Sequence, residues 1–111
     1  MDKFATHVTL DGAEAMGPPP EGNLAIPVFD HGTMQAELYI PDGEDRQSPH
    51  SRDEIYFVAR GSGRFFNGLE RVAVAQGSFI FVPAGVTHRF EDFTKDFSVW
   101  VVFYGPEGGE R

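Results

Sequence analysis

The 111-residue chain contains no cysteine. That absence removes disulfides, thiolate zinc sites and thiol nucleophiles together, so any metal site must be built from imidazole, carboxylate, hydroxyl or amide groups. Positive charge is scarce as well: 9 Lys and Arg stand against 17 Asp and Glu, for a formal charge of −8. An acidic surface repels phosphate backbones, which argues against a nucleic-acid partner. No apolar run approaches the roughly 18 residues that a membrane-spanning helix needs. Met1-Asp2-Lys3-Phe4 lacks the basic stretch and apolar run of a secretory signal, so a cytoplasmic protein is expected. Helical periodicity with capping residues is missing throughout, and so are internal repeats.

What is present is bulk for a core. Hydrophobic residues make up 41% and aromatics 14% of the chain, eleven of them phenylalanine, which suits one globular domain. Residues 1–15 are mixed, with Phe4, Val8 and Leu10 apolar at even positions, and read as an arm or a short edge strand. Gly17, Pro18, Pro19, Pro20 and Gly22 then make an extended linker without ladder hydrogen bonds. Residues 1–23 are thus expected as arm and linker, 24–105 as the folded body and 106–111 as a loose tail.

Within the body, Leu24 to Phe29 is apolar but holds Pro27, which suits an edge strand. Met34 to Ile40 alternates apolar with polar residues, and Ile55 to Ala59 is rich in β-branched and aromatic side chains. Gly61-Ser62-Gly63 reads as a turn, and Asn67-Gly68 as a type I′ hairpin turn between Arg64-Phe65-Phe66 and Val72-Ala73-Val74. Ser78 to Val82, Val86 to Phe90 and Ser98 to Tyr104 complete a set of short, turn-marked strands. This pattern predicts an all-β sandwich or barrel.

Four histidines carry the possible chemistry. His7 in the arm and His31 in a turn read as surface residues. His50 and Glu54 flank Ser51-Arg52-Asp53, a plausible connection between antiparallel strands, so both can point into one interior. His88 follows a tight Pro83-Ala84-Gly85 turn. Two imidazoles and one carboxylate make one face of a divalent-ion site with positions left open. The competing reading pairs Glu54 with Arg52 and leaves the histidines satisfied locally; spacing alone leaves both open. Arg52, Arg60 and Arg89 are candidates to meet an anionic substrate, and Tyr56, Phe66, Phe90, Trp100 and Tyr104 to line a pocket or to fill the core.

His50-x3-Glu54-x6-Gly61 and Gly77-x5-Pro83-x-Gly85-x2-His88, in that order with a hairpin between them, resemble the two motifs of small single-domain cupins. The resemblance covers residues 33 to 104 and departs at three places. Ser48 stands where the first motif has its first histidine, Gly43 lies one position off the motif's opening glycine, and Asp92 replaces the closing asparagine. The resemblance implies a jelly-roll β-barrel holding a divalent ion (iron, zinc, manganese or nickel) on His50, Glu54 and His88. Gln47 is the nearest substitute for the missing ligand. Pro49 can free its amide to swing inward, although parity along a regular strand would point it away. Water at that position, or a vacant site, are the alternatives.

The function implied is a metal-dependent enzyme of dioxygenase, isomerase or lyase type acting on a small organic molecule. A non-catalytic ligand-binding module is the alternative. A homodimer is the expected assembly, formed through Phe-rich strands and the arm.

Overall fold

The computed structural model describes residues 5–111. Phe4, assigned above to the arm, lies outside them. One short helix, α1 (Leu10–Glu14), precedes eight strands: β1 (Ile26–His31), β2 (Met34–Tyr39), β3 (Asp53–Arg60), β4 (Ser62–Phe66), β5 (Arg71–Ala75), β6 (Phe79–Val82), β7 (Arg89–Glu91) and β8 (Ser98–Tyr104). Five strands form one antiparallel sheet in the order β1-β2-β8-β3-β6, and three form a second in the order β5-β4-β7. The all-β barrel expected from the turn-marked strands is the fold observed.

Alternation decides which side chains meet between the sheets. Along β3 the inward positions are Glu54, Tyr56 and Val58, paired across β8 with Phe103, Val101 and Val99. Phe65 of β4 and Phe90 of β7 meet them from the second sheet, and Phe97 closes the far end of the same buried cluster. Burial of roughly 1.5–3 kcal/mol per large apolar side chain makes this cluster the main source of stability.

Proline at the edge behaves as expected. Pro27 lies in β1, the outermost strand, where the ladder is irregular between Pro27 and Phe29. Gly77 and Gly85, the glycines of the second motif, both sit at positive φ (92° and 82°), a backbone conformation that disfavours any residue with a Cβ.

Four local expectations change. Residues 10–14 are helical rather than an edge strand: Thr9 caps the helix by accepting from the Gly12 N–H at 2.9 Å, and Ala13 is buried with Ile26 and Leu38. Arg60 adds a tie to Asp11 and Glu14 at 2.7 and 2.9 Å, so α1 is docked on the outer face of the larger sheet. Tertiary burial, not periodicity, makes that single turn and a half helical.

Ser62 and Gly63 belong to β4, and only Gly61 turns. Asn67-Gly68 does reverse the chain, but through a four-residue loop. The Asn67 side chain accepts from the N–H groups of Leu69 and Glu70 at 3.0 and 2.9 Å, and only Gly68 takes positive φ. Finally, the C-terminal residues are tied down: Gly108 N–H donates to the Ser51 carbonyl at 2.7 Å and Glu110 N–H to Asp53 Oδ2 at 2.8 Å.

Candidate metal centre

Glu54 is the second residue of β3 and His88 lies in the loop just before β7, while His50 lies in the irregular segment leading into β3. The second-motif turn ties these parts together, since the Gly85 N–H donates to the His50 carbonyl at 2.7 Å. Each of the three side chains offers one ligand atom, and all three atoms lie within 4.8 Å of one another. His88 Nε2 is 3.0 Å from Glu54 Oε1, and His50 Nε2 is 3.8 Å from Glu54 Oε2. Ligand bonds of about 2.1 Å set neighbouring donors roughly 3 Å apart, so these separations are of the scale a single ion bridges.

The hydrogen bonding shows what this cluster demands. The His88 ring nitrogen Nδ1 faces the Val86 carbonyl at 2.9 Å, which holds the proton on Nδ1 and turns the Nε2 lone pair toward Glu54. Two acceptors then meet at 3.0 Å with both side chains almost fully buried. Only a cation between them, a proton or a metal ion, relieves that opposition. Glu54 Oε2 is buried and has no hydrogen-bond partner among the described residues. An orphaned carboxylate oxygen facing a second imidazole fits a cation held there.

The two imidazoles differ. Burial pulls His50 below its ordinary value, helped by His88 and opposed by Glu54. Burial acts in the same direction on His88, but the Glu54 hydrogen bond, the Val86 carbonyl and the fields of Glu54 and Asp45 outweigh it, and His88 is raised. Tyr56 is pushed well above the usual phenol range, first by burial and then by Glu54, so its hydroxyl stays protonated.

Gln47 reaches the cluster. Its Oε1 lies 3.1 Å from His50 Nε2 and accepts from the Tyr56 hydroxyl at 2.8 Å. Strand parity would aim it outward, but residues 45–50 carry no regular strand, so parity does not govern the side chain. Ser48 is exposed. Arg52 does not pair with Glu54; it donates to the Thr33 carbonyl and to Gln35 Oε1. His7 and His31 are exposed, away from this cluster. Among the proposed pocket walls Tyr56 and Phe90 are buried, Phe66 lies under the guanidinium groups of Arg71 and Arg89, and Trp100 packs on the outer-face cluster beside Leu38.

Two supporting residues carried no sequence signal. Asp45 accepts from Tyr39 hydroxyl at 2.7 Å, from the Gln47 amide at 3.0 Å and from the Phe90 backbone at 2.8 Å, which fixes Gln47 from behind. Glu37 faces inward opposite Val101, and burial followed by the charge of Asp30 raises its carboxyl above the ordinary value. A cavity of about 300 Å³ is lined by Glu37, Tyr39, Gln47, His50 and Phe103 among others, so the cluster opens to solvent on the His50 side.

The sequence profile of the cupin domain matches residues 36–104. The chain belongs to the cupin family. An uncharacterised protein of Streptomyces coelicolor is 45% identical over 76 residues, which span 67% of this cupin and 72% of the relative. A Thermus thermophilus protein of known crystal structure is 26% identical with a TM-score of 0.65, covering 82% of this chain and 91% of its own. A cupin-2 domain protein from Shewanella frigidimarina superimposes with a TM-score of 0.69 at 14% identity, over 88% and 94% of the two chains, and shares the fold. The profile spans both motifs, from before His50 to beyond His88.

Proposed function

We propose that this cupin is a metal-dependent enzyme acting on a small organic molecule, with the ion held by His50, Glu54 and His88. The observation that carries the reading is the buried, unpartnered Oε2 of Glu54, set 3.8 Å from His50 Nε2 while its other oxygen meets His88 Nε2 at 3.0 Å. A two-histidine, one-carboxylate set suits iron, and zinc, manganese and nickel share the donor preference. When bound, such an ion supplies Lewis acidity, or for iron a route to oxygen chemistry, at the mouth of the cavity.

The chain's own groups do the rest. The Val86 carbonyl fixes the His88 tautomer, and Glu54 brings the one negative charge. The Tyr56 hydroxyl lies 2.9 Å from His88 Nε2 and donates to Gln47 Oε1, so it orients the amide that would serve as a fourth donor. Phe103 meets the His50 ring edge-on at 4.9 Å and keeps that side of the cavity apolar.

Elemental analysis of protein as purified and after titration with ferrous iron, zinc, manganese and nickel tests the reading. About one ion per chain is expected, falling to near zero in His88→Ala. A protein that takes up none of the four sinks it. Ligand-induced thermal stabilisation that survives a chelator would favour a binding module instead.

We also propose a homodimer formed on the outer face of β3 and β6. Phe57, Phe79 and Phe81 stand there 44%, 60% and 47% exposed, on a sheet whose last strand, β6, is an edge. Exposed aromatic surface beside an open strand edge favours association. Light scattering is expected to give a dimer for the native chain and a monomer for Phe79→Glu; a native monomer at micromolar concentration contradicts it.

A further inference from the structure

The sequence offers three arginines for an anionic ligand, and the structure separates them. Arg60 is committed to Asp11 and Glu14, and Arg89 to Glu91 at 2.7 Å. Arg52 bonds only neutral acceptors, the Thr33 carbonyl and Gln35 Oε1, and among the described residues no carboxylate lies within ion-pair distance of it. In a chain with 17 acidic residues against 9 basic ones, Arg52, a partly buried residue, thus keeps a charge that no carboxylate offsets. Its two bonds to the β1–β2 hairpin hold the group in place, and a guanidinium has about five N–H donors, so the remainder are fixed in direction.

Arg52 also lines a cavity that reaches His50. With His50 and Phe103 it lines a cavity of about 650 Å³, and His50 and Phe103 are shared with the smaller cavity over Gln47. Asp30 and Glu107 line the larger one as well.

We propose that Arg52 binds the carboxylate of a small monocarboxylic acid whose neutral end reaches the His50 side of the metal face. This substrate class rests on the metal reading for the position of that far end. A guanidinium pairs a carboxylate through two parallel N–H···O bonds, which gives direction as well as charge. Asp30 and Glu107 repel a second negative charge nearby, so the ligand is singly anionic. The same repulsion disfavours phosphate, the other oxyanion a guanidinium binds.

The test is calorimetric titration of acetate, propionate, butyrate and benzoate, each beside its amide, and of inorganic phosphate. It is run on native protein, Arg52→Gln and Arg52→Lys, with and without added metal, and metal uptake is measured in the same samples. At least one carboxylate should bind while its amide does not. Its affinity should fall about tenfold or more in Arg52→Gln and less in Arg52→Lys, at unchanged metal uptake. Binding of none of the acids, equal affinity in native protein and Arg52→Gln, or tighter binding of phosphate than of any carboxylate overturns the proposal. Loss of metal in Arg52→Gln also overturns it, because Arg52 would then be a support for His50. A native protein that takes up no metal defeats the metal reading alone, and the carboxylate comparison is then decided on the metal-free protein by the same criteria.

Discussion

Two ends of one strand show how this barrel divides its work. On the inner face of β3 the residues run Glu54, Tyr56, Val58, all under 4% exposed, from carboxylate to phenol to hydrocarbon. At the Val58 end Phe97 packs on Phe90 and Phe93, with ring centroids 5.1 and 5.3 Å away. At the Glu54 end two histidines, Tyr56, Gln47 and Asp45 form a polar chain that still leaves Glu54 Oε2 unpartnered. The first arrangement lowers the energy of the fold on its own. The second carries an unmet electrostatic demand, which costs stability unless a cation answers it. Adjacent inward positions on a rigid strand thus separate stability from binding.

The comparison breaks most visibly at the apolar end. Phe97→Ala is expected to cost about 3–5 kcal/mol in denaturant unfolding, because a fully buried ring is removed from a packed cluster. Metal uptake per folded chain should not change; a loss of metal with intact stability would blur the division. At the polar end Glu54→Gln should do the reverse. Supporting residues around a metal cost about 10–100-fold in affinity when removed, so loss of a ligand charge should cost at least about 100-fold. Metal-free stability should stay within about 1 kcal/mol of native, since the substitution is isosteric and an amide N–H can donate to the His88 Nε2 lone pair that Glu54 Oε1 now meets at 3.0 Å. Competition titration with a chromogenic chelator and urea unfolding check the two halves.

A weaker effect is expected one step back from the ligands. Asp45→Asn puts an NH2 donor in place of one of the two acceptor oxygens, so it loses either the Tyr39 bond or the Gln47 side-chain and Phe90 bonds, and should lower metal affinity about tenfold, read by the same titration. The smallest effect lies outside the barrel. Arg71 and Arg89 hold Glu91 below the usual carboxylate range through hydrogen bonds on the exposed face of the small sheet. A lowered folded value means the contribution is present above the unfolded value and is lost as pH falls through the folded one. Glu91→Gln should therefore remove a slight loss of stability below about pH 4.5, the ordinary carboxylate range, and leave neutral-pH unfolding and metal uptake as they are. Thermal unfolding at pH 4 and pH 7 separates the cases.

The legible part of this architecture was the part fixed by local chemistry. Gly77, Pro83 and Gly85 turn the chain where only such residues turn it cheaply, and that frame makes the His50, Glu54 and His88 spacing readable. Gln47 was legible as a candidate but not in direction, because its orientation depends on an irregular segment held by Asp45 from 45 residues away in sequence at Phe90. The α1 helix was illegible for a similar reason: five residues carry little periodicity, and Ala13 is helical because Ile26 and Leu38 bury it. Asn67-Gly68 marked a reversal correctly, yet the turn type was set by which side-chain oxygen captured the nearby N–H groups. Arg52 is one of three candidate arginines in the sequence, and only its neutral hydrogen-bond partners, distant in the chain, set it apart.

Occupancy of the polar end of β3 by a metal ion is tested most directly by a crystal structure of metal-titrated protein, with anomalous scattering recorded at the absorption edge of the ion. One peak is expected about 2.1 Å from the Nε2 atoms of His50 and His88, with the free oxygen of Glu54 as the third protein ligand. No peak there, or peaks only among exposed carboxylates, would contradict the account.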